Sequence, residues 1–179
     1  MEYYNKMNIE MVNNAAAQKA FEILKETLAN GNYDTDYCSA PSIRLPEATA
    51  IKDNRISLDD EDGFYIPEDM MIIAADIFTA IVTELKEEFV CGSAFTDSDY
   101  AVSDVAATID SNKLILKTTY HPAGFVDFLT CEECGEEIVS LEDYNPNKEY
   151  VCPECGEPLD LQSQYEELVP QITIKTIAF

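Results

Sequence analysis

The chain has 179 residues, 46% of them hydrophobic, and carries 35 Asp and Glu against 11 Lys and Arg, a formal net charge of −24. That length suits one ordinary domain, or a domain of roughly 130 residues with a small metal-stapled appendage, and the apolar content is enough for a core. A field of this sign repels phosphate backbones and anionic lipid and draws in cationic surfaces, so direct binding of DNA or RNA is disfavoured.

The N-terminal MEYYNKMNIE has no basic region followed by an apolar core, so no secretory signal is expected. The longest apolar runs, such as MMIIAA, fall far short of the ~20 residues that span a bilayer, and a soluble cytoplasmic protein with no membrane association is the expectation. From Asn8 to Asn30 apolar residues recur at Met11, Ala15, Ala16, Ala20, Phe21, Ile23, Leu24 and Leu28, which predicts a first helix stopped by Asn30-Gly31. Residues 31–66 contain Pro41, Pro46 and the cluster DDEDG, and read as irregular or edge structure with a short strand near Arg55–Leu58.

A second helix is predicted from Pro67 to Cys91-Gly92, with Glu68 and Asp69 favourably placed in its first turn. Its apolar stripe runs through Met70, Ile73, Ala74, Ile77, Ile81, Leu85 and Phe89, opposite Asp76, Thr79, Thr83 and Lys86, as in a core-packing helix. The segment DVAATIDSNKLILKTTYH alternates on both sides of Asp110-Ser111-Asn112-Lys113 and predicts a β-hairpin, closed off by His121-Pro122. GFVDFLT suggests a further strand, QSQYEELVP a short helix, and QITIKTIAF a last strand that returns to the main sheet. The expected fold is therefore α+β: two main helices on a mainly antiparallel sheet, formed by residues 1–130 and 161–179, with a metal-binding insertion at 131–160.

Cys131, Cys134, Cys152 and Cys155 follow the pattern C-x2-C, seventeen residues, C-x2-C. Each C-x2-C turn can aim two thiolates at one metal, and Gly135 and Gly156 let the backbone turn so that its amides face sulfur. Between the pairs, EEIVSLE and KEYV suit two strands that bring the knuckles together. The segment resembles the zinc ribbon family in CEECG and CPECG, over about 30 residues. The resemblance implies a structural, four-coordinate zinc without an open position. CPxCG knuckles are also similar to those of rubredoxin and the rubrerythrin ribbon. Rubredoxin has a longer separation and an aromatic core around its metal, while this chain lacks Trp; the rubrerythrin di-iron centre needs repeated Glu-x-x-His, and the chain has one His. Zinc is favoured over iron, and either over disulfides in a reducing compartment.

Other chemistry-bearing residues carry weaker patterns. His121, the single histidine, has no nucleophile motif beside it, and Cys38 and Cys91 lack the neighbouring cations that activate a thiol. LDDEDGFYIPED matches an EF-hand loop at Asp60, Asp62 and Gly63 but offers Leu58 at the first position and Asp69 at the last. Phosphate-binding and dinucleotide motifs are absent, so an enzyme is not expected.

The acids are clustered. Residues 131–160 hold ten against Lys148 alone, a balance of −9, and a second concentration falls at Asp59, Asp60, Glu61 and Asp62. A ribbon meant for a phosphate backbone would carry the opposite sign. The leading expectation is a non-enzymatic inhibitor that occupies a basic, nucleic-acid-binding surface of a partner such as a nuclease, through Asp59, Asp60, Glu61, Asp62, Glu132, Glu133, Glu136 and Glu137. Nucleic-acid mimics such as anti-CRISPR proteins are similar in size and acidity. The alternative is a ribbon that mediates assembly of a transcription, modification or redox complex.

Overall fold

The computed structural model describes residues 3–30, 51–59, 70–98, 101–122 and 127–179. The chain is α+β, as its patterning implies. Seven strands form one antiparallel sheet in the order β11-β6-β5-β4-β1-β3-β2. They are β1 (Tyr3–Met11), β2 (Ile51–Lys52), β3 (Arg55–Asp59), β4 (Phe89–Ser98), β5 (Ala101–Asp110), β6 (Lys113–His121) and β11 (Gln171–Ala178). Helices α1 (Asn14–Asn30) and α2 (Met70–Leu85) pack together over one face. Among the described residues no helix is long and apolar enough to cross a membrane.

Residues 8–11, expected to open the first helix, belong instead to β1. Met7, Ile9 and Met11 alternate with Lys6, Asn8 and Glu10, and the three apolar side chains are buried. This two-residue period suits a strand held between β3 and β4. The helix starts later because Asn13 caps it, its Oδ1 accepting the N–H of Ala16 at 2.9 Å. From there Ala16, Ala17, Ala20, Ile23 and Leu24 face the core.

The second helix is also shorter than its apolar run implies. It ends at Leu85, one 3-10 turn follows at Lys86–Glu88, and Phe89 begins β4. Cys91 thus sits on a strand, not in a last helical turn. Pairing passes from Glu10–Cys91 to Met11–Phe89, so Val90 is an extra, bulged residue and lies exposed. The bulge resets the alternation, which turns Phe89 into the core although Cys91 faces the other side. Phe89 is a core residue, as expected, but reaches the core from a strand.

The hairpin β5–β6 turns at Ser111-Asn112, whose φ angles of 50° and 61° are those of a primed two-residue turn that matches strand twist. Val105, Ala107, Leu114 and Leu116 complete the core beneath the helices. The last strand pairs with β6 along its whole length, from Gln171–Tyr120 to Ala178–Lys113. The cysteine segment therefore leaves the sheet after β6 and rejoins it at β11.

Candidate metal centre

Two short hairpins carry the cysteines: β7 (Phe128–Thr130) with β8 (Glu137–Ser140), and β9 (Tyr150–Val151) with β10 (Pro158–Leu159). The strands between the cysteine pairs do not join one another, contrary to the simplest reading of EEIVSLE and KEYV. Each pairs instead across its own knuckle, because the knuckle is itself the hairpin turn. The two turns are built alike. Gly135 N–H donates to Cys131 O at 2.7 Å and Cys131 N–H to Glu136 O at 2.8 Å; Gly156 to Cys152 and Cys152 to Glu157 repeat this at 3.0 and 2.9 Å. Gly135 and Gly156 both hold φ at 76°, a left-handed conformation that a side chain disfavours.

These turns bring Cys131, Cys134, Cys152 and Cys155 together, their sulfurs all within 4.8 Å of one another. Two separations across the knuckles are 3.7 Å (Cys131–Cys155) and 3.5 Å (Cys134–Cys152). A tetrahedral tetrathiolate with metal–sulfur bonds of about 2.3 Å has edges of about 3.8 Å, so the cluster fits a single metal ion. Disulfides, at about 2.05 Å, do not fit, and these thiols are free. Cys131 and Cys152, the first of each pair, are buried, while Cys134 and Cys155 reach the surface.

Backbone amides address the sulfurs as a metal site requires. The N–H groups of Cys155 and Glu154 act on Cys152, and with help from the neighbouring thiols bring it down to about 7 against the effect of burial. The Glu136 N–H acts on Cys134 in the same sense, but Cys152, burial and the other two cysteines outweigh it and hold that thiol at about 12. The protons of the set are thus unevenly shared, and a metal ion displaces them when it binds.

A second, small hydrophobic cluster supports the site. Leu129, Tyr150 and Leu161 are buried there, with Tyr144, Tyr165 and Leu168 packed against them. Tyr144 lies with its ring centroid 5.8 Å from Tyr150 and 4.5 Å from Tyr165, and its hydroxyl donates to Gln162 Oε1 at 2.9 Å. The helix α3 (Gln162–Leu168) thereby packs on the cysteine segment. Its Gln164 accepts the N–H of Thr130 at 2.7 Å and returns a longer bond to Thr130 O at 3.4 Å, next to Cys131. The sequence pattern had marked the ligands but not these supports. Tyr144 and Tyr150 stand between the cysteine pairs and were open to that reading; Gln164 carried no local signal.

The expected acidic contacts divide into two places. Glu132, Glu133, Glu136 and Glu137 are exposed on the first knuckle. Asp59 ends β3, opposite Lys6 of β1, four strand positions from β6 and so about 19 Å across the sheet from where the cysteine segment departs. Asp60, Glu61 and Asp62, the rest of the calcium-loop pattern, and Cys38 lie outside the described residues. His121 ends β6 with Nε2 4.0 Å from Asp104 Oδ2 and is not among the residues that form the cysteine cluster. Comparison with protein-family models, curated proteins and solved structures returns no match.

Proposed function

We propose that the four cysteines hold one structural zinc ion and that the chain is a non-enzymatic inhibitor. In this reading its glutamate-rich knuckle docks on a basic, nucleic-acid-binding surface of a partner protein such as a nuclease, as an anti-CRISPR-like mimic does. The observation that carries the proposal is the exposure of Glu132, Glu133, Glu136 and Glu137 around a cluster of four thiols. Zinc with four thiolates leaves a charge of about −2, which adds to the field of these carboxylates. None of the four is paired with a cation among the described residues. A closed tetrathiolate has no position for substrate, so the metal supports shape and display.

Metal analysis of protein purified without added metal is expected to return one zinc per chain; stoichiometric iron would overturn the zinc assignment. A partner captured on the immobilised chain should be released by moderate salt and displaced by its own nucleic acid. Replacing Glu132, Glu133, Glu136 and Glu137 by Lys should abolish capture while metal content is retained. Capture that resists both salt and nucleic acid would sink the mimic reading.

A further inference from the structure

The two knuckles present their thiols unequally. The first cysteine of each, Cys131 and Cys152, is buried, whereas the second, Cys134 and Cys155, is exposed. Because the two turns are built alike, the exposed thiols hold equivalent positions, each just before the left-handed glycine of its knuckle. The buried thiols are close at hand. Cys155 Sγ lies 3.7 Å from Cys131 Sγ, and Cys134 Sγ lies 3.5 Å from Cys152 Sγ, so each exposed sulfur is in contact with a buried sulfur of the other knuckle. An accessible thiolate with a second thiolate poised beside it is the arrangement that oxidises to a disulfide.

We infer that the cysteine cluster is a redox-sensitive staple, which a neutral hydroperoxide converts to the two cross-knuckle disulfides Cys131–Cys155 and Cys134–Cys152 with loss of the metal ion. The exposed thiolate attacks one peroxide oxygen; the S–O bond forms, the O–O bond breaks and hydroxide leaves, giving a sulfenic acid. The thiolate of its buried neighbour then attacks that sulfur; the S–S bond forms, the S–O bond breaks and a second hydroxide leaves. Each disulfide thus takes two electrons from a pair of thiolates and reduces one peroxide. The sulfurs close from their present separation to about 2.05 Å, a movement of less than about 2 Å.

Charge selects the oxidant. Residues 131–160 hold ten acids against Lys148 alone, and Glu132, Glu133, Glu136, Glu154 and Glu157 are exposed beside the thiols. This field holds off an anionic oxidant such as glutathione disulfide and has no such effect on uncharged hydrogen peroxide. The pairing decides what survives. Disulfides within each C-x2-C pair would leave the knuckles unconnected, whereas cross-knuckle disulfides join the same two hairpins that the metal joins. The packing of Leu129, Tyr150 and Leu161 is then kept while the charge of the centre falls from about −2 to zero. The inference rests on the zinc reading only for the identity of the ion that is lost.

The full-length, zinc-loaded chain with Cys38→Ser and Cys91→Ser keeps only the four cysteines of the cluster. Metal analysis before oxidation reads the zinc assignment separately, and if the ion found is iron, the same thiols still decide the pairing. Hydrogen peroxide should release the ion to a chromogenic chelator in step with loss of the four thiols and consumption of about two equivalents of peroxide. Dithiothreitol with added zinc should restore the loaded state. Cleavage by a glutamate-specific protease after Glu133 and Glu154 separates the cysteines of each pair, so non-reducing mass spectrometry should find Cys131 joined to Cys155 and Cys134 to Cys152. Near-ultraviolet dichroism of the tyrosine group should survive oxidation. Glutathione disulfide should release the ion several-fold faster at high salt than at low, and peroxide at the same rate in both. Disulfides within the C-x2-C pairs, sulfinic or sulfonic acids in their place, an ion retained under excess peroxide, or glutathione disulfide indifferent to salt would each overturn the proposal.

Discussion

The ring of Phe78 occupies the space that a side chain at position 92 would need. A Cβ built on Gly92 would lie 2.6 Å from Cε1 of Phe78, closer than carbon atoms approach. Phe78 is wholly buried on α2 and Gly92 lies in β4, so this pair sets how near the helix comes to the sheet. Gly92→Ala should therefore cost about 1–3 kcal/mol through overpacking, measured by urea unfolding at fixed metal content. The double change Gly92→Ala, Phe78→Leu should be less destabilised than the two single changes added together, because the smaller side chain relieves the same clash.

Gly135 and Gly156 make a contrasting case. No atom lies within 4 Å of a Cβ at either, so the only obstacle to a side chain is φ at 76°. Gly135→Ala and Gly156→Ala should each lose about 1–2 kcal/mol from the metal-bound state, and by similar amounts given the matched turns. Competition with a chromogenic chelator reads this directly. Gly135→Asn should be milder, since Asn tolerates the left-handed region better.

Gln164 ties α3 to the strand that leads into Cys131. Gln164→Ala should expose the Thr130 amide, and hydrogen exchange at that residue should speed up while the core of β5 and β6 keeps its protection. Because the bond is made next to a ligand, metal release should quicken as well. Removing the metal with a chelator should reduce the near-ultraviolet dichroism of the Tyr144, Tyr150 and Tyr165 group, with the sheet signal in the far ultraviolet largely retained.

The thiol of Cys91 is held above its ordinary pKa, first by burial and then by the carboxylate of Glu10, with Arg55 opposing. Zinc-loaded chain with Cys38→Ser should consequently be alkylated at Cys91 more slowly than a free thiol at pH 8. Glu10→Gln should speed the reaction by removing the second cause. The linkage has a definite sign: the folded state holds the proton more tightly than the unfolded chain, so this contribution is full below the ordinary thiol pKa. It is lost as pH rises through the folded value. Unfolding measured from pH 8 to 10 should show this fall, smaller in Glu10→Gln.

Legibility followed the range of the interaction. The hairpin over β5 and β6 and the cysteine spacing are written in consecutive residues, and both were readable. The N-terminal strand was hidden because Met7, Ile9 and Met11 alternate with Asn and Glu, poor strand formers, and an Ala-rich helix starts three residues later. The end of α2 was blurred by an apolar stripe that keeps helical spacing through Ile77, Ile81, Leu85 and Phe89, where only the bulge at Val90 changes which side faces the core. Gln164 and Thr130 are 34 residues apart and their bond depends on how α3 docks, so no window of sequence could show it.

The position of the cysteine segment between β6 and β11 limits what the metal contributes to the sheet. To add β11, the chain must close a loop from His121 to Gln171, and a metal cross-link from Cys131 to Cys155 removes about half of it. Halving a loop is worth only about 0.6 kcal/mol of chain entropy. Through chain entropy alone, then, an ion held by the four cysteines would add little to the final strand; β11 is held by its ladder with β6, and the sheet is expected to keep its seventh strand when the metal is removed.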